Sequence, residues 1–314
     1  MALPHFYLEQ QILSCEGQDC FALQLSADDI KHARVLRLAC GEHLAVIDAS
    51  SDYFECEVVS FDDDMIVHIA KHLDAGQNMA PSVILIQGLA KGDKMETVIR
   101  HATELGVRRF IPFTSNRTVV KLDQKRAEKK LTRWNAIAKS AAMQSGQLSI
   151  PLVDSLCSLA QLSHVLGEVD LLLVCWEETP VTQSMKALLS SFAQTRQCGQ
   201  AKPNTQTRQT AQADQTDQAS HATLEGKIAQ ADQTAQPTEL TPNPARIGVV
   251  IGPEGGLAKE EVERLLEEFP CAHLVSLGPS ILRTETAGIV APALVMYELG
   301  GFELPSQMSI DTQN

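Results

Sequence analysis

The sequence predicts an α/β fold: a parallel sheet flanked by helices, preceded by a small β-rich domain. The sheet is read from one unit that occurs twice. Ile247-Gly248-Val249-Val250-Ile251 breaks into Gly252-Pro253-Glu254-Gly255-Gly256 and then a helical pattern; Ala272 to Leu277 runs into Gly278-Pro279 and a second helix. Strand, glycine turn and helix in succession describe parallel strands with crossover helices. The β-rich domain is read from the first 75 or so residues, where His43–Ala49, Tyr53–Ser60 and Met65–Ala70 are short β-prone runs, the first two joined by Ser50-Ser51-Asp52.

Within that domain, Arg34 and Arg37 are three apart, a spacing that places both on one helix face able to hold phosphate; surface arginines without a partner are the other reading. Asp74 to Pro81 reads as a linker. Val83 to Gln87 is a buried strand, followed by a helix with Met95, Val98, Ile99, Ala102 and Leu105 on its apolar stripe and Gly106 at its end. Lys91 and Lys94 stand near the start of that helix, where free N–H groups favour anions. Arg109 to Phe113 is the next strand. A basic helix follows from about Gln124, with Leu131, Trp134, Ala138 and Ala141 inward and Lys125, Arg126, Lys129, Lys130 and Arg133 outward. Leu159 to Leu166 is a short helix and Asp170 to Trp176 a buried strand.

Residues 194–244 differ in kind. They are rich in Gln, Thr and Ala, nearly devoid of large apolar side chains, and contain Gln-Ala-Asp-Gln-Thr twice, which predicts a disordered insertion looping out between two core strands. After it come Ile247–Ile251, a helix with Val262, Leu265, Leu266 and Phe269 inward, the strand from Ala272, and a closing helix from Thr284 to Leu299. Pro292 inside that helix costs about 3 kcal/mol unless a kink accommodates it. Residues 303–314 read as a flexible tail.

Length and composition allow two domains with sizeable cores in 314 residues. Eight cysteines without a C-x-x-C or His/Cys cluster imply neither a zinc site nor a disulfide framework, and fit a reducing cytoplasm. No signal peptide and no bilayer-spanning run is read, so a soluble, cytoplasmic protein without membrane or metal is expected. The net charge of −13 is unevenly spread: residues 1–78 carry 4 basic and 14 acidic groups, 148–314 carry 9 and 20, and 91–147 carry 13 and 5. The middle segment is therefore the place for a phosphate track, or else a solvated helix surface.

Two glycine-proline turns at neighbouring strand ends put exposed backbone groups on one sheet edge, where open α/β sheets bind ligands; singly, each is also an ordinary βα turn. Their wording narrows the choice. I-G-P-E-G-G followed by L-G-x-x-I-L-R-T-E-T-A resembles the RsmE-type 16S rRNA (uracil-N3) methyltransferases of the SPOUT superfamily, and the resemblance runs from about Leu36 to Gly300 apart from the insertion. Lys94-Met95 and Glu104-Leu105-Gly106-Val107 match further motifs. Ser115-Asn116-Arg117 matches the family's S-E-R loop with Asn116 in the glutamate position. Met143 and Gln147 stand where the family has glutamate and arginine, four apart like a helical ion pair. The family's N-terminal arginine is also missing: Ala2 and His5 stand in that region.

The resemblance implies a PUA-like RNA-binding β-barrel over residues 1–75 and a SPOUT-type α/β methyltransferase domain with a C-terminal trefoil knot over 80–302. It implies a homodimer, S-adenosylmethionine as cofactor, and as substrate N3 of uracil 1498 in the 16S rRNA of the assembled 30S ribosomal subunit. Cofactor contacts fall on Trp176, Ile251, Gly252, Glu254, Gly255, Gly256, Leu277, Gly278, Ile281 and Leu282. RNA contacts fall on Arg34, Arg37, Lys91, Lys94, Arg117 and Lys121. Arg283 is the candidate to stabilise charge on the uracil oxygens beside N3. Glu285 is either the base for the N3 proton or, as the favoured reading, a first-turn acid complementing the helix dipole. A noncatalytic ribosome-assembly factor that kept the fold is the alternative; the absence of G-x-G-x-x-G and G-x-x-x-x-G-K-[S/T] disfavours a nucleotide-binding enzyme.

Overall fold

The structure, a computed structural model, describes residues 3–73, 80–179, 184–200 and 244–302. Two sheets organise it. The first contains β1 (His5–Tyr7), β2 (Cys20–Ala22), β3 (His43–Ile47), β4 (Tyr53–Phe61) and β5 (Met65–Leu73) in the order β1-β3-β4-β5-β2. β1 pairs parallel with β3 and the other pairs are antiparallel. Helix α1 (Ala27–Val35) lies between β2 and β3 in the chain, its first turn capped by Ser26, whose hydroxyl accepts from Asp29 N at 3.2 Å. Phe6, Leu44, Phe54 and Met65 centre this core.

The helix ends sooner than the arginine spacing requires. α1 stops at Val35, and Arg37 follows in the left-handed region at φ 59°. Arg34 and Arg37 therefore do not share a helix face. Arg34 instead donates to Asp62 O at 3.0 Å and lies over the Phe61 ring.

The second sheet is wholly parallel. In chain order its elements are β6 (Ser82–Gly88), α2 (Lys94–Glu104), β7 (Arg109–Thr114), α3 (Gln124–Ser145), β8 (Leu152–Val153), β9 (Cys157–Ser158), α4 (Leu162–Leu166), β10 (Leu171–Cys175), α5 (Met185–Gln200), β11 (Arg246–Ile251), α6 (Lys259–Glu268), β12 (Ala272–Val275) and α7 (Thr284–Glu298). The strand order is β12-β10-β11-β6-β7-β8, with β9 also on β7. Alternate residues of the central strands face two cores: Leu85, Phe110 and Val249 pack with α2, α3, α5 and α7, while Ile86, Ile111 and Val250 pack with α4 and α6. α7 returns across β6 and β11 against α2 and carries Pro292 buried within it.

α5 corrects the insertion boundary, because residues 194–200, read as disordered, continue its helix. Met185 and Leu189 bury in the core, Phe192 packs against it, and Arg196 Nη1 reaches Asp170 Oδ2 at 3.2 Å, so the helix is anchored where composition alone reads as polar. The remainder of the predicted insertion through residue 243, the predicted tail and most of the linker lie outside the described residues.

α3 joins the two cores. Trp134 and Ala138 belong to the large domain, and Ala142 and Met143 to the first domain's cluster. Lys139 Nζ meets Asp29 Oδ2 at 2.8 Å across the seam. The helix ends at Ser145, with Gly146 left-handed at φ 70°, so Met143 and Gln147 are not an i, i+4 pair on one helix. Gln147 lies beyond it, donating through Nε2 to Glu104 O at 3.0 Å and accepting from Tyr7 Oη through its carbonyl at 2.5 Å.

Candidate active site at the carboxyl edge of the parallel sheet

The carboxyl ends of β10, β11 and β12 open onto one cavity of about 680 Å³. Three stretches form most of its walls: Cys175–Glu177 at the end of β10, the turn from Ile251 to Gly256 at the end of β11, and the loop from Val275 to the first turn of α7; Lys94 and Thr179 complete them. β12 ends at Val275 rather than at Leu277, which frees Ser276 to Arg283 for the wall. Ser276 Oγ accepts from Gly278 N at 3.2 Å and holds the bend in which Gly278 takes φ 115°. Among the described residues other than its chain neighbours, none comes within 4 Å of where a Cβ on Gly278 would stand, but that backbone conformation excludes most side chains.

The turn after β11 is compressed. A Cβ on Gly252 would stand 3.1 Å from Gly256 C, and one on Gly256, at φ 70°, would stand 2.2 Å from Glu177 Oε1. A Cβ on Gly88 would lie 2.3 Å from Pro253 N, so the end of β6 seats directly on this turn. Trp176 Nε1 donates to Leu257 O at 3.3 Å, fixing the indole beside the cavity.

Of the ten residues expected to contact a cofactor, Trp176, Ile251, Gly252, Glu254, Gly256, Leu277, Gly278, Ile281 and Leu282 line this cavity. Gly255 does not. Its carbonyl accepts from Arg117 Nη1 at 3.4 Å, and the space a Cβ would need is filled by Arg117 O. The loop bearing Arg117 is tied down by Glu261, which accepts from Asn116 N at 2.8 Å and from Ala258 N at 2.9 Å. Only the main chain of residue 116 is used there, so asparagine in place of glutamate leaves this contact intact.

Arg283 is the exposed N-cap of α7 and lines the cavity. Glu285 lies one step inside the helix. Its Oε2 is 3.1 Å from Lys94 Nζ, an ion pair without the alignment of a hydrogen bond. Lys94 Nζ is also 3.2 Å from Glu254 Oε1, which accepts in addition from Lys91 N at 2.9 Å. The ion pair with Glu285, then that with Glu254, raise the Lys94 pKa above its ordinary value. Burial pushes both carboxyls up, but backbone N–H donors and Lys94 outweigh it and hold both below the usual glutamate range. A carboxylate so stabilised is a weak proton acceptor, which favours the dipole-complementing reading of Glu285.

The expected RNA contacts divide. Lys94 is a cavity wall group engaged by two carboxylates, whereas Lys91, Arg117 and Lys121 are exposed around the same edge of the large domain, and Arg34 and Arg37 are exposed on the first domain. Sequence reasoning missed Glu177 and Thr284 as cavity-lining residues, and Gly88 as the residue on which the turn after β11 seats. Thr284 lies inside a motif already recognised, whereas the approach of Gly88 to Pro253 shows only in the tertiary structure. Among the described residues, no group of three or more His, Cys, Asp or Glu is arranged to hold a metal ion.

Comparison with known proteins agrees with this geometry. An RNA methyltransferase domain family matches residues 78–202 and 193–296. The ribosomal RNA small subunit methyltransferase E of Bacillus subtilis is 31% identical over 94% of this chain and 97% of its own length. The chain belongs to this family. Among solved structures, a hypothetical protein is 28% identical with a TM-score of 0.69, covering 94% of this chain and 98% of that one. The family member from Neisseria gonorrhoeae, solved bound to S-adenosyl methionine, has a TM-score of 0.64 at 21% identity over 94% of this chain and 97% of its own. No helix among the described residues is long and apolar enough to cross a membrane.

Proposed function

We propose that this chain transfers a methyl group from S-adenosylmethionine to N3 of a uridine in small-subunit rRNA, uracil 1498 by family resemblance, within the assembled 30S subunit in the cytoplasm. The observation that carries the reading is the cavity at the strand ends with Arg283 on its wall. Its volume is in the range of cofactor sites. Its glycine turns bring main chain to the surface, and Trp176, Ile251, Leu277 and Leu282 supply apolar area, so the residues present fit the cofactor, which supplies an electrophilic methyl on a sulfonium. The S–CH3 bond breaks as the N–CH3 bond forms and the N3 proton passes to solvent water; the Arg283 guanidinium offsets the negative charge that then spreads onto the flanking uracil oxygens. Glu285 keeps Lys94 at the rim rather than taking the proton itself.

The rest of the reading extends the same way. Residues 1–75 act as the PUA-like RNA-binding domain, and 80–302 as the SPOUT domain whose last segment forms a trefoil knot. Lys91, Arg117 and Lys121 serve the rRNA backbone near the cavity, and Arg34 and Arg37 serve it from the first domain. Two copies pair through α7, which exposes Leu294 and Tyr297 three residues apart, followed by exposed Phe302.

The test is methyl transfer from labelled S-adenosylmethionine to 30S subunits lacking the mark, with nucleoside analysis of the product. N3-methyluridine is expected from the wild type. Arg283→Ala is expected to lower turnover roughly 10²-fold or more while still binding cofactor. Cofactor binding with no transfer by the wild type would sink the catalytic reading.

A further inference from the structure

Gln87, the penultimate residue of β6, has no solvent exposure. Its Nε2 donates to Thr284 Oγ1 at 2.9 Å and to Gly88 O at 3.2 Å. Thr284 Oγ1 donates in turn to Gly252 O at 2.6 Å. The direction of this relay is forced. A hydroxyl has one proton, here committed to the Gly252 carbonyl, so its lone pairs must face an N–H, and a flipped amide would set oxygen against oxygen.

The orientation leaves Gln87 Oε1 without a hydrogen-bond partner among the described residues. It is turned toward α7, where a Cβ on residue 288 would stand 2.4 Å from it, and glycine occupies that position. A buried carbonyl without a donor is unfavourable, and an apolar side chain of similar length avoids the loss. Gln87 thus burdens the core while joining three segments: β6, the turn after β11 and the start of α7. Gly252 and Thr284 both line the cavity, and Gln87 does not.

We propose that Gln87 is a positioning residue of the cofactor site. Its amide fixes the Thr284 hydroxyl, and through it the Gly252 carbonyl, so that two cavity walls contributed by distant parts of the chain keep one separation. The proposal rests on the reading of the cavity as the S-adenosylmethionine site.

The test uses the full chain with Gln87→Met, Thr284→Val, Thr284→Ser and the double variant Gln87→Met/Thr284→Val, measuring S-adenosylmethionine affinity by calorimetry, Tm, and KM against kcat. Gln87→Met is expected to weaken cofactor binding about tenfold, the loss of one hydrogen bond's worth of order. Its Tm is expected to stay near the wild type's, because loss of the unpaired buried acceptor offsets loss of the two hydrogen bonds that Nε2 donates. KM for the cofactor should rise while KM for 30S subunits stays. Thr284→Ser, which keeps the hydroxyl, should bind like the wild type, and the double variant should bind no more weakly than Thr284→Val. Unchanged affinity in Gln87→Met, a loss that tracks a fall in Tm, or additive effects in the double variant each overturn the proposal. A wild type that binds no S-adenosylmethionine overturns the cofactor reading instead, and the positioning role with it.

Discussion

Lys94 and Glu285, 191 residues apart in sequence, meet at 3.1 Å across the mouth of the cavity, with Glu254 on the other side of the same ammonium at 3.2 Å. One lysine thereby ties the start of α2 to the turn after β11 and to the first turn of α7. The charges are partly exposed, so the contact locates these segments more than it stabilises the fold.

The contact predicts a pH dependence. Both glutamates titrate below their ordinary 4.5, so their contribution is present above about 4.5 and is lost as pH falls through the lowered values. The Lys94 pKa is raised above 10.5, so its contribution is complete below that value and is lost as pH rises through the raised one. Lys94→Met removes the cation that holds the carboxyls down, and its acid unfolding limb is expected at higher pH than the wild type's. Thermal melts across the acid range check this; superimposable limbs would refute it.

Gly88→Ala is expected to damage the site from outside it. The added Cβ would stand 2.3 Å from Pro253 N and 2.7 Å from Gly252 C, and neither backbone atom can swing aside. A loss of about 1–3 kcal/mol in stability is expected, the range for overpacking, together with weaker cofactor binding as the Gly252-Pro253 turn shifts. Denaturant unfolding and calorimetry measure the two, and wild-type values for both would show that β6 and the turn part freely.

Lys139 and Asp29 join the domains through one ion pair in which Asp29 is buried at 3% exposure. Lys139→Ala leaves that carboxylate with Ser26 but without its cation. The expected loss is about 1–3 kcal/mol, below the value for a fully buried pair because the lysine side chain is partly exposed. Lys139→Ala combined with Asp29→Asn should recover part of it. A double variant as unstable as the sum of the singles would mean that the pair contributes no coupling.

Tyr297 is 75% exposed on α7 beside Leu294. If this face joins two copies, Tyr297→Arg combined with Leu294→Glu is expected to yield monomers, with mass measured by light scattering after size exclusion. Dimers that survive both charges would place the interface elsewhere.

Much of the architecture was legible in the residues. The runs at Val83–Gln87, Arg109–Phe113 and Ile247–Ile251 became parallel strands within a residue at each end, and the stripe Met95, Val98, Ile99 and Ala102 became the buried face of α2. Misreadings fell where composition or spacing substituted for packing. The first seven residues of the Gln-rich stretch, 194–200, read as disordered from composition, yet Leu189 and Phe192 anchor the helix that runs through them. Arg34 and Arg37 had helical spacing, but the helix ended between them.

The sequence by itself determined the periodicities that make each element and the two glycine turns that leave main chain uncovered at a sheet edge, because these depend on residues a few positions apart. Tertiary structure alone decided which charges meet there. Lys94 looked like a free phosphate ligand at a helix start and is held by Glu254 and Glu285. Gln87 looked like the end of an apolar strand and is hydrogen-bonded to Thr284, 197 residues later. Such pairs are set by how parallel strands order themselves in the sheet, and the order β11-β6 brings residues 82–87 beside 246–251 with more than 150 residues between them. No local pattern encodes that adjacency, because the side chains that enforce it are buried against partners drawn from the whole chain.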